Sequence, residues 1–326
     1  MRSSEVLAGG IQTTVQDYPG RRGMLAQGFF PAGPMDHFAL RAANLLVGNP
    51  QSAAALEITL GSFRIRFDGG ATIAVCGADT EVTVDGTSVA LWESHQAPAG
   101  SEVAVGLAPG PGFRCYLAVD GGFDVPVLLG SRATYTMGAL GGLDGRQLQE
   151  GDRLPLGEPA GNGSRYRFRA TARPEYARGW EVRAMRGPQA APDYLTEADM
   201  ETLFSRRWPV DRNSNRTGIR LESHKFEWAR DSGGIAGGHP SNILDNSYPV
   251  GAINVNGDLP VILGPDGPTA GGFVVAAVVI HADFWKIGQF RPVGDTVGFR
   301  EVSIDEAIAA DRELDDILTA ASLEVV

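Results

Sequence analysis

From Ser62 onward the chain alternates with a period of two: Phe63, Ile65 and Phe67 fall on one side, Arg64 and Arg66 on the other. An extended strand with one dry and one wet face satisfies that pattern, because successive strand side chains point to opposite faces. Short apolar runs follow at residues 72–75, 81–84, 87–91, 103–107, 113–119 and 125–129, with Asp85-Gly86 as a hairpin turn. Short strands at such regular spacing predict a barrel or sandwich. The 43 glycines and 20 prolines supply the turns this requires.

One helix interrupts the first half. Asp36 suits its N-cap, Phe38, Ala42, Leu45 and Leu46 form its apolar stripe, and Gly48 ends it. Glu57 then stands as an acid within the apolar run 53–60. Its plain explanation is a strand-end carboxylate paired with an arginine. A chain of 326 residues exceeds the usual single domain, and the turn-rich residues 157–164 (G-E-P-A-G-N-G-S) make the best boundary. The expectation is a mainly β chain: a first β-barrel domain with one helix over 1–160, and a second with a C-terminal helix over 161–326.

In the second half, strands are expected at 166–169, 181–185, 219–221, 252–255, 260–263, 273–280 and 298–302. Thr196 and Asp199 have capping-box spacing for a short helix, and Ser303 with Glu306 opens the C-terminal one. Gly151-Asp152 and Gly294-Asp295 each precede a closing strand, which suggests a duplicated unit.

The net charge of -11 argues against nucleic-acid or anionic-membrane partners. Cys76 and Cys115 lie in apolar strand-like runs, so buried thiols in a reducing compartment are expected, with a disulfide left open. No signal peptide is read in the first ten residues, and the longest apolar run, 273–280, is too short to span a bilayer. A soluble, cytoplasmic protein without a metal site is expected. Walker, G-x-S-x-G and H-E-x-x-H motifs are missing. The pairs Gly121-Gly122, Gly141-Gly142 and Gly271-Gly272 read as turns.

Chemistry-bearing side chains gather in two places. One holds Asp36, Asn44 and Glu57. The other holds His239, Asn242, Asp245, Asn246, Tyr248 and Asn254, in a segment dense in Gly, Asn, Asp and Pro, with Lys286 and Gln289 further on. The second group reads as a loop site on a β scaffold, polar and suited to an amide. An ordered surface loop whose Asx side chains satisfy their own backbone is the alternative.

Longer motifs extend this reading. G-G-I-Q-T-T-V-Q-D-Y-P-G-R from Gly9, G-P-M-D-H-F-A-L-R-A-A-N from Gly33, H-P-S-N-I-L-D-N from His239 and G-P-D-G-P-T-A-G-G-F from Gly264 occur in order. Together they resemble allophanate hydrolase subunit 2, the larger half of the carboxyltransferase module of urea carboxylase and urea amidolyase. Asn254-Val255-Asn256 resembles that branch more than the related subunit of 5-oxoprolinase, which usually shows Gln-Val-Pro there.

The resemblance implies tandem cyclophilin-like β-barrels and carboxyl transfer to urea, allophanate or a similar small amide. It implies carboxybiotin carried on another chain or domain, ATP used by the complex, and a smaller subunit 1-like partner, with a biotin carboxylase or carrier besides. Asn44, Glu57, His239, Asn242, Asp245 and Asn246 would then be catalytic, and Asp36, Tyr248, Asn254 and Lys286 would bind substrate. A subunit of ATP-dependent 5-oxoprolinase and a non-catalytic cyclophilin-like regulator are the alternatives.

Overall fold

Phe63, Ile65 and Phe67 are fully buried in the Phe63–Phe67 strand, while Arg64 is exposed and Arg66 pairs with Glu5 at 2.5 Å. Each such buried side chain contributes roughly 1.5–3 kcal/mol through the water-exposed area it removes. The computed structural model describes residues 2–159 and 164–326. It divides into two units, one of Met1–Met24, Pro31–Tyr176 and Leu314–Val326, the other of Leu25–Phe30 and Ala177–Glu313. The sequence boundary at 160/161 lies outside the described residues.

In the first unit, a six-stranded antiparallel sheet runs in the order Arg153–Pro155, Ser3–Gly9, Phe63–Phe67, Glu102–Val105, Val82–Val84, Thr87–Val89. A five-stranded antiparallel sheet runs Gln12–Gln16, Ala55–Thr59, Arg114–Val119, Ala71–Gly77, Ser94–Ala97. Val6, Ile65, Phe67 and Val103 from the first pack with Val15, Leu56, Ile58 and Leu117 from the second in one core. Helix α1 (His37–Leu46) packs against the five-stranded sheet, so that the Ala55–Thr59 strand is buried at every position. That cover is why Glu57 is buried in mid-strand and not at a strand end. Asp36 caps α1 as expected, accepting the Ala39 N–H at 2.8 Å.

The second unit is built on a sheet ordered Trp208–Pro209, Thr296–Glu301, Gly179–Arg186, Ala270–Val279, Ala252–Asn256, Leu259–Leu263, Gly218–Arg220. Gly179–Arg186 and Thr296–Glu301 run parallel. Helix α2 (Glu197–Ser205) carries the Thr196–Asp199 capping box read from the sequence. Some elements differ from the sequence reading. Helix α3 (His281–Ile287) follows the long strand where no element was expected. Residues 125–129 form no strand beyond a Leu128–Ser131 bridge. The C-terminal helix α4 (Ile304–Ile317) forms behind its Ser303–Glu306 cap. No described helix is long and apolar enough to cross a membrane.

Both Gly218–Arg220 and the turn after Leu259–Leu263 depend on one buried ion pair. Arg216 grips Asp266 through Nε and Nη2, each at 2.8 Å, with both side chains more than nine-tenths buried. Removing one partner leaves an uncompensated buried charge, so Asp266→Asn should cost about 3 kcal/mol. The check is a lowered urea midpoint at unchanged m-value. Replacing both residues by apolar ones of similar volume should cost much less.

Candidate functional site

The two groups of candidate residues lie in different units, Asp36, Asn44 and Glu57 in the first and the others in the second. In the first, Glu57 Oε2 accepts from the Met35 N–H at 2.8 Å and from the Tyr116 hydroxyl at 2.7 Å, and Oε1 lies 3.5 Å from Arg114 Nε. The Tyr116 hydroxyl also accepts the Asp36 N–H at 2.7 Å, and the Tyr176 hydroxyl donates to Asp36 Oδ2 at 3.3 Å. The Tyr116 hydroxyl thus ties Glu57 to Asp36. Asn44 does not join them. Its Nδ2 donates to the Gln51 and Ala53 carbonyls, its Oδ1 accepts from Asn49, and it fastens the turn after α1.

In the second unit, the segment read as loop is partly a strand. Asn242–Ser247 pairs with the start of Ala270–Val279, Asn242 opposite Phe273 and Asn246 opposite Gly271. Gly271-Gly272 therefore lies inside a strand and is not a turn. The Tyr248 ring packs on Gly271 so closely that a Cβ there would stand 2.6 Å from Cε2. Tyr248 is itself buried, its hydroxyl donating to the Phe273 carbonyl at 2.9 Å and accepting the Phe273 N–H at 2.7 Å. Asn254 Oδ1 is buried with no partner among the described residues.

His239 has a fixed tautomer. Its Nδ1 accepts the Ser241 backbone N–H at 3.1 Å, so the uncharged ring carries its proton on Nε2. Ser241 Oγ lies 2.9 Å from the same Nδ1 and accepts the Gly257 N–H at 3.0 Å. A serine this close to a histidine suggests a nucleophile, but Ser241 is fully buried and its hydroxyl is engaged on both sides. It orients the imidazole.

Around His239, Arg230 donates to the Pro240 and Asn242 carbonyls and stacks on Tyr194 at 4.4 Å. The Asn242 side chain makes no hydrogen bond among the described residues, and Gly237 packs against it. Asn246 Nδ2 donates to Gln189 Oε1 at 3.1 Å. Asp245 is exposed, with Oδ1 accepting only the next N–H. Lys286 is elsewhere. It sits on α3 beyond the other end of the Ala270–Val279 strand, 3.1 Å from Asp283 and donating to the Glu181 carbonyl.

Sequence reading missed Trp228. Its ring meets the His239 ring edge-on at 5.6 Å. Its backbone φ is +59°, a conformation that bulky residues rarely adopt. The Asp199 carboxylate holds it there by accepting the Glu227 and Trp228 N–H groups at 2.8 and 3.0 Å. The capping-box spacing identified Asp199, but no local pattern shows that its carboxylate also reaches residues 227 and 228.

Residues 27–301 match the family described as carboxyltransferase domain, subdomain A and B. The chain belongs to that family. It is 39% identical to a putative urea carboxylase of Emericella nidulans over 97% of this chain and 25% of that protein. It is 34% identical to a 5-oxoprolinase subunit of Escherichia coli K12 over 95% of this chain and 94% of that protein. The crystal structure of Kluyveromyces lactis urea carboxylase superposes with a TM-score of 0.91 at 40% identity, over 99% of this chain and 30% of that one. This carboxyltransferase-family chain thus spans about a quarter of the fungal protein and nearly the whole of the bacterial one.

The first-unit cluster has a pH signature. Burial pushes the Cys115 thiol up to about 12 and the Cys76 thiol well above its ordinary 9.0. Burial, then the Glu57 charge, raises the Tyr116 hydroxyl likewise. The native state keeps these protons while the unfolded chain sheds them, so their contribution is whole below the ordinary values and is lost as pH rises from there toward the raised native values. Stability should fall by about 1 kcal/mol per pH unit for each thiol above its ordinary 9.0 and for Tyr116 above its ordinary 10.0. Urea midpoints on either side of these values check it. Alkylation of both thiols should require unfolding.

Proposed function

We propose that this chain is the larger, carboxyltransferase-type part of an enzyme acting on urea or a similar small amide. What carries the reading is a set of neutral donors and an acceptor in the second unit. His239 Nε2–H and the Asn242 amide offer donors, and Asn254 Oδ1 is a buried acceptor with no partner among the described residues. An amide presents the complementary set, a carbonyl oxygen and N–H groups. The matches support the urea branch, with 39–41% identity to urea carboxylase and urea amidolyases against 31–34% to the 5-oxoprolinase subunits.

In this reading His239 and Asn242 donate to the acceptor's oxygen, where negative charge gathers as its nitrogen gives up a proton before attacking. Asp245 is the carboxylate nearest in sequence to take the nitrogen's proton, and Asn254 accepts the N–H that remains. Biotin, carried on another chain or domain, supplies the activated carboxyl group, and its neutral ureido ring suits the Asn242 and Asn246 amides. ATP is used elsewhere in the complex. A smaller subunit 1-like chain completes the enzyme as a 1:1 pair, and the protein works in the cytoplasm. A second reading, as the equivalent part of a 5-oxoprolinase, is favoured by the 94% coverage of the Escherichia coli protein.

The test combines this chain with the small subunit and carboxylated biotin carrier, following labelled carboxyl transfer to urea. His239→Ala and Asn246→Ala should each lower turnover by about 10-fold or more, one useful transition-state hydrogen bond. Unchanged melting profiles would separate that from unfolding. Robust turnover by the isolated chain, or ATP hydrolysis stimulated by 5-oxoproline and not by urea, would overturn the proposal.

A further inference from the structure

Beside His239 the second unit exposes two large apolar side chains. Ile235 is 96% exposed and Leu244 76%, the highest values among the described large hydrophobic residues of that unit. Both are held out by their surroundings. Arg230 donates to the Pro240 carbonyl at 2.8 Å and to the Asn242 carbonyl at 2.6 Å, which ties together the two ends of the 231–239 loop. Gly233 and Gly237 pack the loop onto Asn242, where a Cβ on Gly237 would stand 2.4 Å from Nδ2. Leu244 stands on a bulge. Asn242 pairs with Phe273 and Asn246 with Gly271, so Ile243, Leu244 and Asp245 together oppose the single Gly272. Such a bulge re-aims side chains and interrupts pairing. Asp231 opens the loop and Asp245 follows Leu244. Both carboxylates are exposed, and neither forms an ion pair among the described residues.

We infer that Ile235 and Leu244 form a docking knob for the smaller chain of the enzyme, and that this partner offers an apolar socket with a basic rim. An apolar side chain already fixed in place loses little freedom on binding, which suits it to anchor an interface. The charges decide between a second copy and a different chain. In a two-fold pair the same patch meets itself, so the unpaired carboxylates would face their own kind on chains that each carry a net charge of -11. A partner with Lys or Arg around its socket is attracted by the same carboxylates. The inference rests on the reading of this chain as the larger part of a two-chain enzyme, and it places the junction beside His239 and Asn242.

The test measures binding of the full chain to the small subunit, with rates and Kd from surface-attached kinetics. Ile235→Asp and Leu244→Asp should each raise Kd by about tenfold or more. Their melting profiles should stay unchanged, since both side chains already stand in water. Asp231→Lys should slow association at low salt and leave dissociation nearly as it was. Met137→Asp, at a 71% exposed side chain of the first unit, should not alter Kd. A pair that forms with unchanged Kd in both aspartate variants would overturn the knob and leave the two-chain reading in place. Self-association of the chain that either variant abolishes would make the occupant a second copy and overturn the smaller chain as the partner. Absence of binding between the small subunit and the unaltered chain would overturn the two-chain reading, and the junction with it.

Discussion

A carboxylate taken out of water is costly unless its oxygens find donors, and this chain uses such carboxylates to hold its irregular segments in place. Asp199 closes the capping box of α2 and also takes the N–H groups of residues 227 and 228. Asp17 takes the Ser131 hydroxyl and the Arg132 N–H, binding two loops distant in sequence. Glu57 takes the N–H that precedes Asp36, and Asp266 locks the Arg216 turn. Each fastener joins segments whose own sequences carry no propensity for the shape they adopt. The strands give the frame, and the acids set where the loops stand upon it.

This division explains which parts were legible. Period-two alternation and helix caps depend on neighbours within a few residues, so Phe63–Phe67, α1, α2 and α4 could be read directly. Asp85-Gly86 likewise turns between its two expected strands, with positive φ at both residues. The Asn242–Ser247 strand could not be read, because its polar residues lack the usual strand signature and its pairing is bulged. Helix α3 is only His281–Ile287, too short for periodicity to declare itself. Tyr248 was expected to bind substrate, yet it is buried locally on a glycine whose significance lies in a ring 23 residues away. Ile235 and Leu244, by contrast, are largely exposed in the same region.

Among the candidate site residues, legibility followed chemistry more than position. His239, Asn242 and Asn254 stood out as polar residues in a glycine-rich context, and each offers an N–H or carbonyl that the fold leaves unused. Asn44 looked equivalent in the sequence, but every hydrogen-bonding position of its amide is taken by the chain itself. Whether an asparagine is tied up in this way depends on how the following turn folds back on it. Ser241 and Trp228 escaped notice for the opposite reason. One acts by fixing a tautomer and the other by a backbone angle, and neither leaves a motif.

The ion pairs of this protein are almost entirely made by arginine, whose planar fork suits two-point grips such as those on Asp266 and Asp283. Lys225 and Lys286 are the only lysines in the chain. Lys286 is held between Asp283 and the Glu181 carbonyl, and its side chain is 23% exposed. Covalent chemistry directed at amines therefore meets one open side-chain target, Lys225. Among side chains, attachment to a surface, a dye or a short crosslink to a neighbouring chain would report from that one place, with the arginine-rich rest of the basic surface inert to the reagent.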